Sequence, residues 1–184
     1  MTTAAPWTIR TARASDAAAL SALADRTFRD AFGAVNAAGD MDLHCARAYT
    51  PARQAAEIAD PAIATVVVEH EVGQEGELVG YAQLRRRMSP AVAEPAAVEV
   101  QRFYLLQAWH GSGVAQALMD DAVARARAMG GRVLWLGVWE HNPRAIRFYA
   151  KHGFTTVGEQ PFVLGKDPQR DLVMVRPLVA PAVD

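Results

Sequence analysis

The chain has 184 residues, of which 51% are hydrophobic and 21% charged, and its formal net charge is -1. This length predicts one domain over residues 1–184, with a core at about 7–178 and a tail at 179–184. Balanced charge disfavours nucleic acid as a partner, because affinity for it depends on clustered Lys and Arg. The single cysteine allows no internal disulfide, the first residues lack the features of a signal peptide, and no apolar run reaches the ~20 residues of a membrane span. We therefore expect a cytoplasmic protein without a membrane partner.

The first half of the chain is predicted to contain a strand, helices and a hairpin. Alternation around Ile9 indicates the strand, and Ser15 with Asp16 is typical of a helix N-cap after it. Apolar residues at helical spacing and two β-branched runs indicate the other elements. In order, we predict a strand at 7–13, helices at 17–32, 41–49 and 51–59, and hairpin strands at 64–70 and 78–88 joined by a turn at 73–76.

The second half is predicted to alternate strands and helices after an irregular, proline-containing connection. We predict strands at 99–105 and 133–138, helices at 114–129 and 142–152, and two last strands at 155–164 and 172–178 separated by residues 165–168. This mixed α/β order fits one central sheet with helices on its faces.

A glycine-bearing turn, His110-Gly111-Ser112-Gly113, precedes the helix that begins at Val114. Free backbone N–H groups and the positive end of the helix dipole meet at a helix N-terminus. Small side chains in the turn let an oxygen-rich anion approach the amides of residues 111–115. The turn is therefore a candidate phosphate site, although a Gly-x-Gly turn by itself is more often a tight turn without a ligand.

Two blocks of sequence carry a family resemblance. The run from Asn142 to Tyr149, followed by Gly153 and Phe154, resembles the block Asn-x-x-Ala-x-x-Phe-Tyr and Gly-Phe of the GCN5-related N-acetyltransferase (GNAT) superfamily. A second block of the superfamily has Gln or Arg, two residues, Gly, one residue, then Gly or Ala. It matches His110, Gly113 and Ala115, with a histidine in place of Gln or Arg.

The resemblance implies the GNAT fold, in which a mixed, mostly antiparallel sheet of about seven strands has helices on both faces. A splayed strand pair is expected near 99–105 and 133–138. The resemblance further implies acetyl-CoA as cosubstrate and direct transfer of its acetyl group to a primary amine in a ternary complex.

The resemblance also implies which residues hold the cofactor. The free amides of Phe103 and Leu105 are expected to bind the pantetheine and thioester, and the phosphates are expected at the glycine turn. The implied cofactor-binding residues are Phe103, Leu105, His110, Gly111, Ser112, Gly113, Val114, Ala115, Asn142, Arg147 and Lys151. Asn142 has a second interpretation as the N-cap of a helix that starts with a proline, and Arg147 and Lys151 are as readily solvated.

Two residues are implied in catalysis. Tyr149 is expected to protonate or steady the departing thiolate, a task that suits a phenol because it stays neutral near pH 7 and donates a hydrogen bond. Glu99 is the candidate base for the acceptor amine. A strand carboxylate also serves as an ion-pair partner for an arginine such as Arg102, and many relatives use water instead. Both interpretations of Glu99 stay open.

The acceptor is the least determined part. The branch with bacterial spermidine/spermine acetyltransferases is resembled at Thr27-Phe28 with Phe32, at Gly80-Tyr81, at residues 135–140, at Gly165 and at residues 171–174. This resemblance implies a polyamine or another small cationic amine. Acidic residues expected on the substrate side are Asp40, Asp42, Glu94 and Glu99. Two alternatives are a non-catalytic acyl-CoA sensor and a protein N-terminal acetyltransferase, and the chain is expected to be a monomer or a homodimer.

Other reactive residues are given packing roles. Cys45 has no His-plus-acid arrangement beside it, so we expect it to pack rather than to act as a nucleophile. The five histidines form no spacing typical of a metal site, and we predict no metal. Trp135 and Trp139 share one face of their strand by its period of two, and core or interface packing is favoured for both.

Overall fold

The structure, a computed structural model, describes residues 7–71 and 76–178. The predictions for residues 1–6 and 179–184, and most of the predicted 73–76 turn, lie outside the described residues. The strands are β1 (Trp7–Thr11), β2 (Ile63–His70), β3 (Glu77–Arg86), β4 (Ala97–Leu105), β5 (Val133–Trp139), β6 (Thr155–Leu164) and β7 (Asp167–Pro177). The helices are α1 (Ala17–Phe32), α2 (Ala38–Ala48), α3 (Pro51–Ala59), α4 (Val114–Ala128) and α5 (Pro143–Lys151).

The described strands form a seven-stranded sheet in the order β1-β2-β3-β4-β5-β7-β6. β4 and β5 pair in parallel, and the other neighbouring strands pair antiparallel. The mixed, mostly antiparallel sheet expected from the sequence is confirmed.

The parallel pair in the middle of the sheet is short. β4 and β5 are paired only from Ala97 and Val133 to Glu99 and Trp135, although β4 continues to Leu105. An irregularity in the pairing of β3 and β4 leaves Gln101 as an extra residue between Val100 and Arg102, a bulge that bends β4 at this point. The two strands therefore separate beyond residue 99, as the splayed pair was expected to do.

Apolar side chains cover the sheet on both faces. α4 and α5 pack Met119, Ala122 and Tyr149 with strand residues that include Leu136 and Met174. On the opposite face, Leu20 and Phe28 of α1 belong to a buried cluster with Val67 and Tyr81. Side chains from the helices on both faces of the sheet can therefore extend to the gap between β4 and β5.

Most predicted boundaries agree with the structure within a few residues, but β7 begins at Asp167 instead of residue 172. The turn before it consists of Gly165, whose φ is +60°, and Lys166, whose N–H donates to Asp40 (2.7 Å). Pro168 fits inside the strand because β5 pairs with β7 only from Asp171 onward. Before Asp171 the side of β7 that faces away from β6 has no neighbouring strand among the described residues, so the missing N–H of Pro168 leaves no backbone hydrogen bond unmade there. The predicted start of this strand was wrong because residues 165–168 have a composition typical of a loop, although β7 already begins within them.

None of the helices in the described parts of the chain is long and apolar enough to cross a membrane.

Candidate active site

A cleft of about 680 Å³ lies where β4 and β5 separate, lined by residues from α1, α2, β4, β5, α5, β6 and β7. The sequence-predicted site residues that line it are Glu99, Phe103, Leu105, His110, Ala115, Asn142 and Tyr149. Gly111, Ser112, Gly113 and Val114 lie between the lining residues His110 and Ala115. Arg147 and Lys151 belong to α5 but are not part of the cleft wall.

The backbone of β4 beyond the split presents free groups to the cleft. The N–H of Leu106 donates to the carbonyl of Val79 on β3 (2.9 Å). Because N–H groups alternate in direction along a strand, those of Phe103 and Leu105 point the other way, to the edge that β5 has left. Their direction fits the predicted contacts with an extended ligand.

The glycine turn is open in front. Gly111 and Gly113 have left-handed backbones, with φ of +82° and +88°, which glycine adopts without a side-chain penalty. A Cβ added to either would have no heavy atom within 4 Å. No side chain of the described residues caps α4. The first N–H groups of this helix therefore have no intrahelical acceptor and stay available to an anion.

His110 braces the backbone at the end of β4. Its Nε2 lies 3.1 Å from the carbonyl oxygen of Leu105, and because a carbonyl only accepts, this nitrogen is the donor. Burial, and then the charge of Arg144, lower the pKa of His110. The ring is therefore neutral near pH 7 and engaged with the main chain, which leaves phosphate contact to the backbone of the turn.

α5 turns one face to the cleft. The side-chain oxygen of Asn142 accepts from the N–H of Ala145 (3.1 Å), so this residue is the helix N-cap and also lines the cleft. Arg144, Ala145, Phe148 and Tyr149 are the helix residues in the cleft wall. Arg144 was not predicted as a site residue, although its position two residues after Asn142 places it in the first turn beside His110.

Tyr149 is 9% exposed and reaches the cleft from the α4 and α5 face of the sheet. Its ring lies between Phe103 and Phe148, at centroid distances of 6.3 and 5.5 Å. Burial raises the pKa of Tyr149 above its ordinary value. The phenol is therefore protonated at neutral pH, as a proton donor must be.

The opposite side of the cleft is a chamber of rings, which we call the aromatic chamber. It is formed by Phe28, Phe32, His44, Tyr49, Tyr104, Trp139 and Phe162. His44 stacks on Phe28 at 4.5 Å and lies 5.6 Å from Phe162, and Phe32 meets the edge of Trp139 at 6.0 Å. Burial, followed by the charge of Arg102, lowers the pKa of His44, so this ring adds no charge near pH 7.

A buried ion pair supports the chamber. Arg102 donates to Glu57 and to Gln83, both at 2.5 Å, and its guanidinium lies 5.3 Å from the centroid of the Tyr49 ring. Burial alone would raise the pKa of Glu57, but its bonds with Arg102 hold the pKa below the usual range. Arg102 is thus paired with Glu57, and the sequence-based pairing of Arg102 with Glu99 is not found.

Glu99 lines the cleft but is held in an ion pair. Its carboxylate accepts from Nε of Arg85 at 2.6 Å and lies 3.7 Å from Nη1 of Arg87. Both arginines are also cleft residues. The ion-pair interpretation of this glutamate is therefore present in the structure, and the proton-accepting role stays a prediction.

The other acidic residues expected beside the substrate are outside the cleft wall. Asp40 accepts from the Lys166 backbone, Asp42 pairs with Arg29, and Glu94 accepts from the Ala96 backbone. Their expected placement was wrong, because sequence position does not give the direction of a loop or helix side chain. Asp171 lines the cleft instead, and burial raises its pKa to about 6.

Cys45 and Trp135 are core residues. Cys45 is 3% exposed and burial raises its pKa to about 12, so its thiolate is not available near pH 7. Trp135 is 1% exposed and donates to the carbonyl of Arg87 (2.6 Å). Trp139, for which core or interface packing was expected, lines the cleft instead.

Outward backbone amides, an open glycine turn and a buried neutral phenol form an arrangement that fits an elongated anionic ligand bound by the main chain, with a proton donor beside it. The family model described as "Acetyltransferase (GNAT) family" matches residues 25–154. The chain belongs to this family and is an acetyltransferase by that membership.

Relatives support the same assignment. An uncharacterized N-acetyltransferase of Mycobacterium tuberculosis is 39% identical over 165 residues, which cover 90% of this chain and 99% of the relative. Another, from Lactobacillus delbrueckii subsp. lactis, is 33% identical over 159 residues, with 86% and 90% covered.

Among solved structures, the PaiA N-acetyltransferase of Thermoplasma acidophilum, in complex with coenzyme A, has a TM-score of 0.73 at 16% identity and covers 93% of this chain and 98% of its own. A Salmonella typhimurium protein solved with its cofactor acetyl-CoA has a TM-score of 0.63 at 24% identity, with 97% and 98% covered. These likenesses show the fold.

Proposed function

We propose that the protein transfers the acetyl group of acetyl-CoA directly to the primary amine of a small cationic acceptor. The observation that carries this proposal is the cleft through the split sheet, which has Tyr149 on one face and the aromatic chamber on the other. A thioester held along β4 would then meet an acceptor that enters from the chamber side.

Acetyl-CoA is the donor. The open space before Gly111 and Gly113 fits a diphosphate, and the outward amides of Phe103 and Leu105 fit an amide-containing arm. Acetyl-CoA supplies the activated acetyl group, and the chain supplies its orientation. Asn142, Arg144 and the exposed Arg147 and Lys151 are proposed to lie along the same ligand.

Transfer takes place in a ternary complex. The buried Cys45, with its raised pKa, is a poor nucleophile for an acetyl-enzyme step. In direct transfer the acceptor nitrogen attacks the carbonyl carbon, the carbon–sulfur bond breaks, and Tyr149 gives its proton to the sulfur. The phenolate then recovers the proton that the amine released, through solvent.

The aromatic chamber favours an acceptor with one cationic group on an apolar body, because rings bind both alkyl groups and cations. Polyamine specificity, as in the spermidine/spermine branch, and the protein N-terminus as acceptor stay alternatives. The cytoplasmic location and a monomeric or dimeric state are likewise proposals.

The test is a thiol-release assay with acetyl-CoA over monoamines, polyamines, amino acids, aminoglycosides and short peptides. Wild type should release thiol with at least one amine, and Tyr149→Phe should lower kcat by about 100-fold, the usual contribution of a positioned acid. Acetyl-CoA binding without thiol release over the whole panel would support the sensor instead.

A further inference from the structure

Asp171 occupies the middle of β7, on the chamber side of the sheet. It lies opposite Trp139 on β5 and opposite Gln160 on β6. Its Oδ2 stands 3.0 Å from the position that a Cβ on Gly137 would take. Because Gly137 has no side chain, the carboxylate of Asp171 has space to face the cleft.

The carboxylate of Asp171 has no partner among the described residues. Among the described residues, 7–71 and 76–178, no side chain forms a hydrogen bond or an ion pair with the Asp171 carboxylate. The Glu99 carboxylate, in contrast, is bound by Arg85 at 2.6 Å. A half-buried carboxylate is costly without a partner, because water is partly removed from it. An ammonium group in the chamber would supply both the missing charge and the missing donors.

Burial sets the direction of the pKa shift of Asp171, and no nearby cation among the described residues offsets it, although Arg85, Arg87 and Arg144 line the same cleft. Burial raises the pKa of Tyr104 on β4 well above its ordinary value, and the nearby charge of Asp171 adds to this. His44 on α2 is neutral near pH 7, and Tyr149 on α5 is protonated. Asp30 on α1 adds negative charge to the lining, and Arg170, the chain neighbour, is bound to Glu140 and Glu159.

On the basis of the proposed function, we propose that Asp171, rather than Glu99, binds the ammonium group of the acceptor and takes one proton from it. The proton moves from nitrogen to a carboxylate oxygen, and the nitrogen lone pair is then free to attack the thioester carbon. Asp171 passes this first proton to solvent, and it is the net proton that the reaction releases. After the attack the nitrogen loses a second proton, which returns to the Tyr149 phenolate through solvent and balances the proton that Tyr149 gives to the sulfur. Burial favours this step because it raises the pKa of Asp171 to about 6 and lowers that of an ammonium group in the same chamber.

The test compares Asp171→Asn with the matched variant Glu99→Gln, both isosteric, in the full chain. With an amine found in the screen, Asp171→Asn should lower kcat/KM for the amine by about 100-fold or more and leave KM for acetyl-CoA unchanged. Glu99→Gln should lower it by less than about 10-fold. The profile of kcat/KM against pH should contain one ionisation near pH 6 in wild type and in Glu99→Gln that is absent from Asp171→Asn.

A second variant moves the carboxylate without removing it. A Cβ at residue 137 would stand 2.7 Å from Nε2 of Gln160 and 3.0 Å from Oδ2 of Asp171, so Gly137→Ala must displace both side-chain ends. It should raise KM for the amine several-fold while KM for acetyl-CoA and thermal unfolding stay close to wild type. This variant tests the same carboxylate if Asp171→Asn does not fold.

The inference is overturned if Asp171→Asn loses no more activity than Glu99→Gln, or if it keeps the ionisation near pH 6. Unchanged amine kinetics in Gly137→Ala would also overturn it. Failure of the proposed function looks different, because wild type itself would then release no thiol with any amine.

Discussion

The two sides of the cleft are built in different ways. We call the side proposed to bind acetyl-CoA the cofactor side, and the side of the aromatic chamber, proposed to bind the amine, the acceptor side. On the cofactor side, the groups available to a ligand are main-chain N–H groups of β4 and of the turn before α4. On the acceptor side, side chains from α1, α2, β4, β5, β6 and β7 converge, and their support includes an ion pair between Arg102 and Glu57.

This difference determines how each side responds to substitution. Main-chain donors do not depend on side-chain identity, so the cofactor side requires only small residues and a fixed backbone. The acceptor side depends on individual charges and rings, so the loss of a buried charged partner there should have the largest effect on the free energy of unfolding. Four substitutions, from the largest expected effect to the smallest, test this contrast.

The strongest test of the acceptor side is Glu57→Ala. It leaves the buried Arg102 without its carboxylate, and breaking a buried pair in this way costs about 3–5 kcal/mol of unfolding free energy. Urea unfolding measures the loss. Arg53→Ala removes the exposed partner of the same carboxylate (2.9 Å) and should cost less than about 1 kcal/mol. Equal losses in the two variants would contradict the role given to Arg102.

On the cofactor side, Gly113→Ala should destabilise by about 1–2 kcal/mol, because φ is +88° and an L-residue is strained there. Its methyl group also enters the open space before α4, so KM for acetyl-CoA should rise several-fold. Gly39→Ala is the control, since this glycine lies inside α2 with free space around it and should gain about 0.5–1 kcal/mol. A stabilised Gly113→Ala would show that the turn does not need its left-handed backbone.

Asp171→Asn should stabilise the ligand-free protein at pH 7.5 by on the order of 1 kcal/mol. The pKa of this carboxyl rises from 3.8 to about 6 on folding, so its ionisation disfavours the folded state above pH 6. The penalty decreases as pH falls from 6 to 4 and disappears below the unfolded value. Thermal unfolding of wild type and variant should therefore differ at pH 7.5 and converge near pH 4. A difference in unfolding temperature that stays constant from pH 7.5 to pH 4 would show that the effect of Asp171→Asn does not come from ionisation of this carboxyl.

The smallest effect is expected for His110→Gln. The ring is neutral near pH 7 and donates to the carbonyl of Leu105, a bond that a glutamine amide also offers. KM for acetyl-CoA should change by less than about 3-fold, which corresponds to roughly 0.7 kcal/mol. A larger rise at pH 7.5 would mean that His110 contacts the phosphates after all.

Sequence patterns predicted the secondary-structure elements on the cofactor side for a physical reason. The glycine turn, the helix from Val114 and the Asn142 cap are local features, because each is formed by residues that follow one another in the chain. The strand and helix order also followed from local periodicity. Local residues could not show that His110 turns back to Leu105, because that contact depends on the exact path of the chain.

The acceptor side could not be read in the same way. Asp171 was matched only as part of a branch resemblance, and the residues before it looked like a loop instead of a strand. Asp40, Asp42 and Glu94 were expected near the substrate and are engaged elsewhere. The partner of a charged side chain is set by packing between distant elements, as the pairs of Arg102 with Glu57 and Arg85 with Glu99 show.

By itself, the sequence determined the family, the order of elements and the position of the glycine turn before α4, because each is encoded in short stretches with a fixed periodicity or spacing. Only the tertiary structure decided which carboxylate of the cleft has no ion-pair partner among the described residues. Glu99 and Asp171 are 72 positions apart in the chain, and whether either carries an arginine partner depends on side chains that meet only when the sheet is assembled.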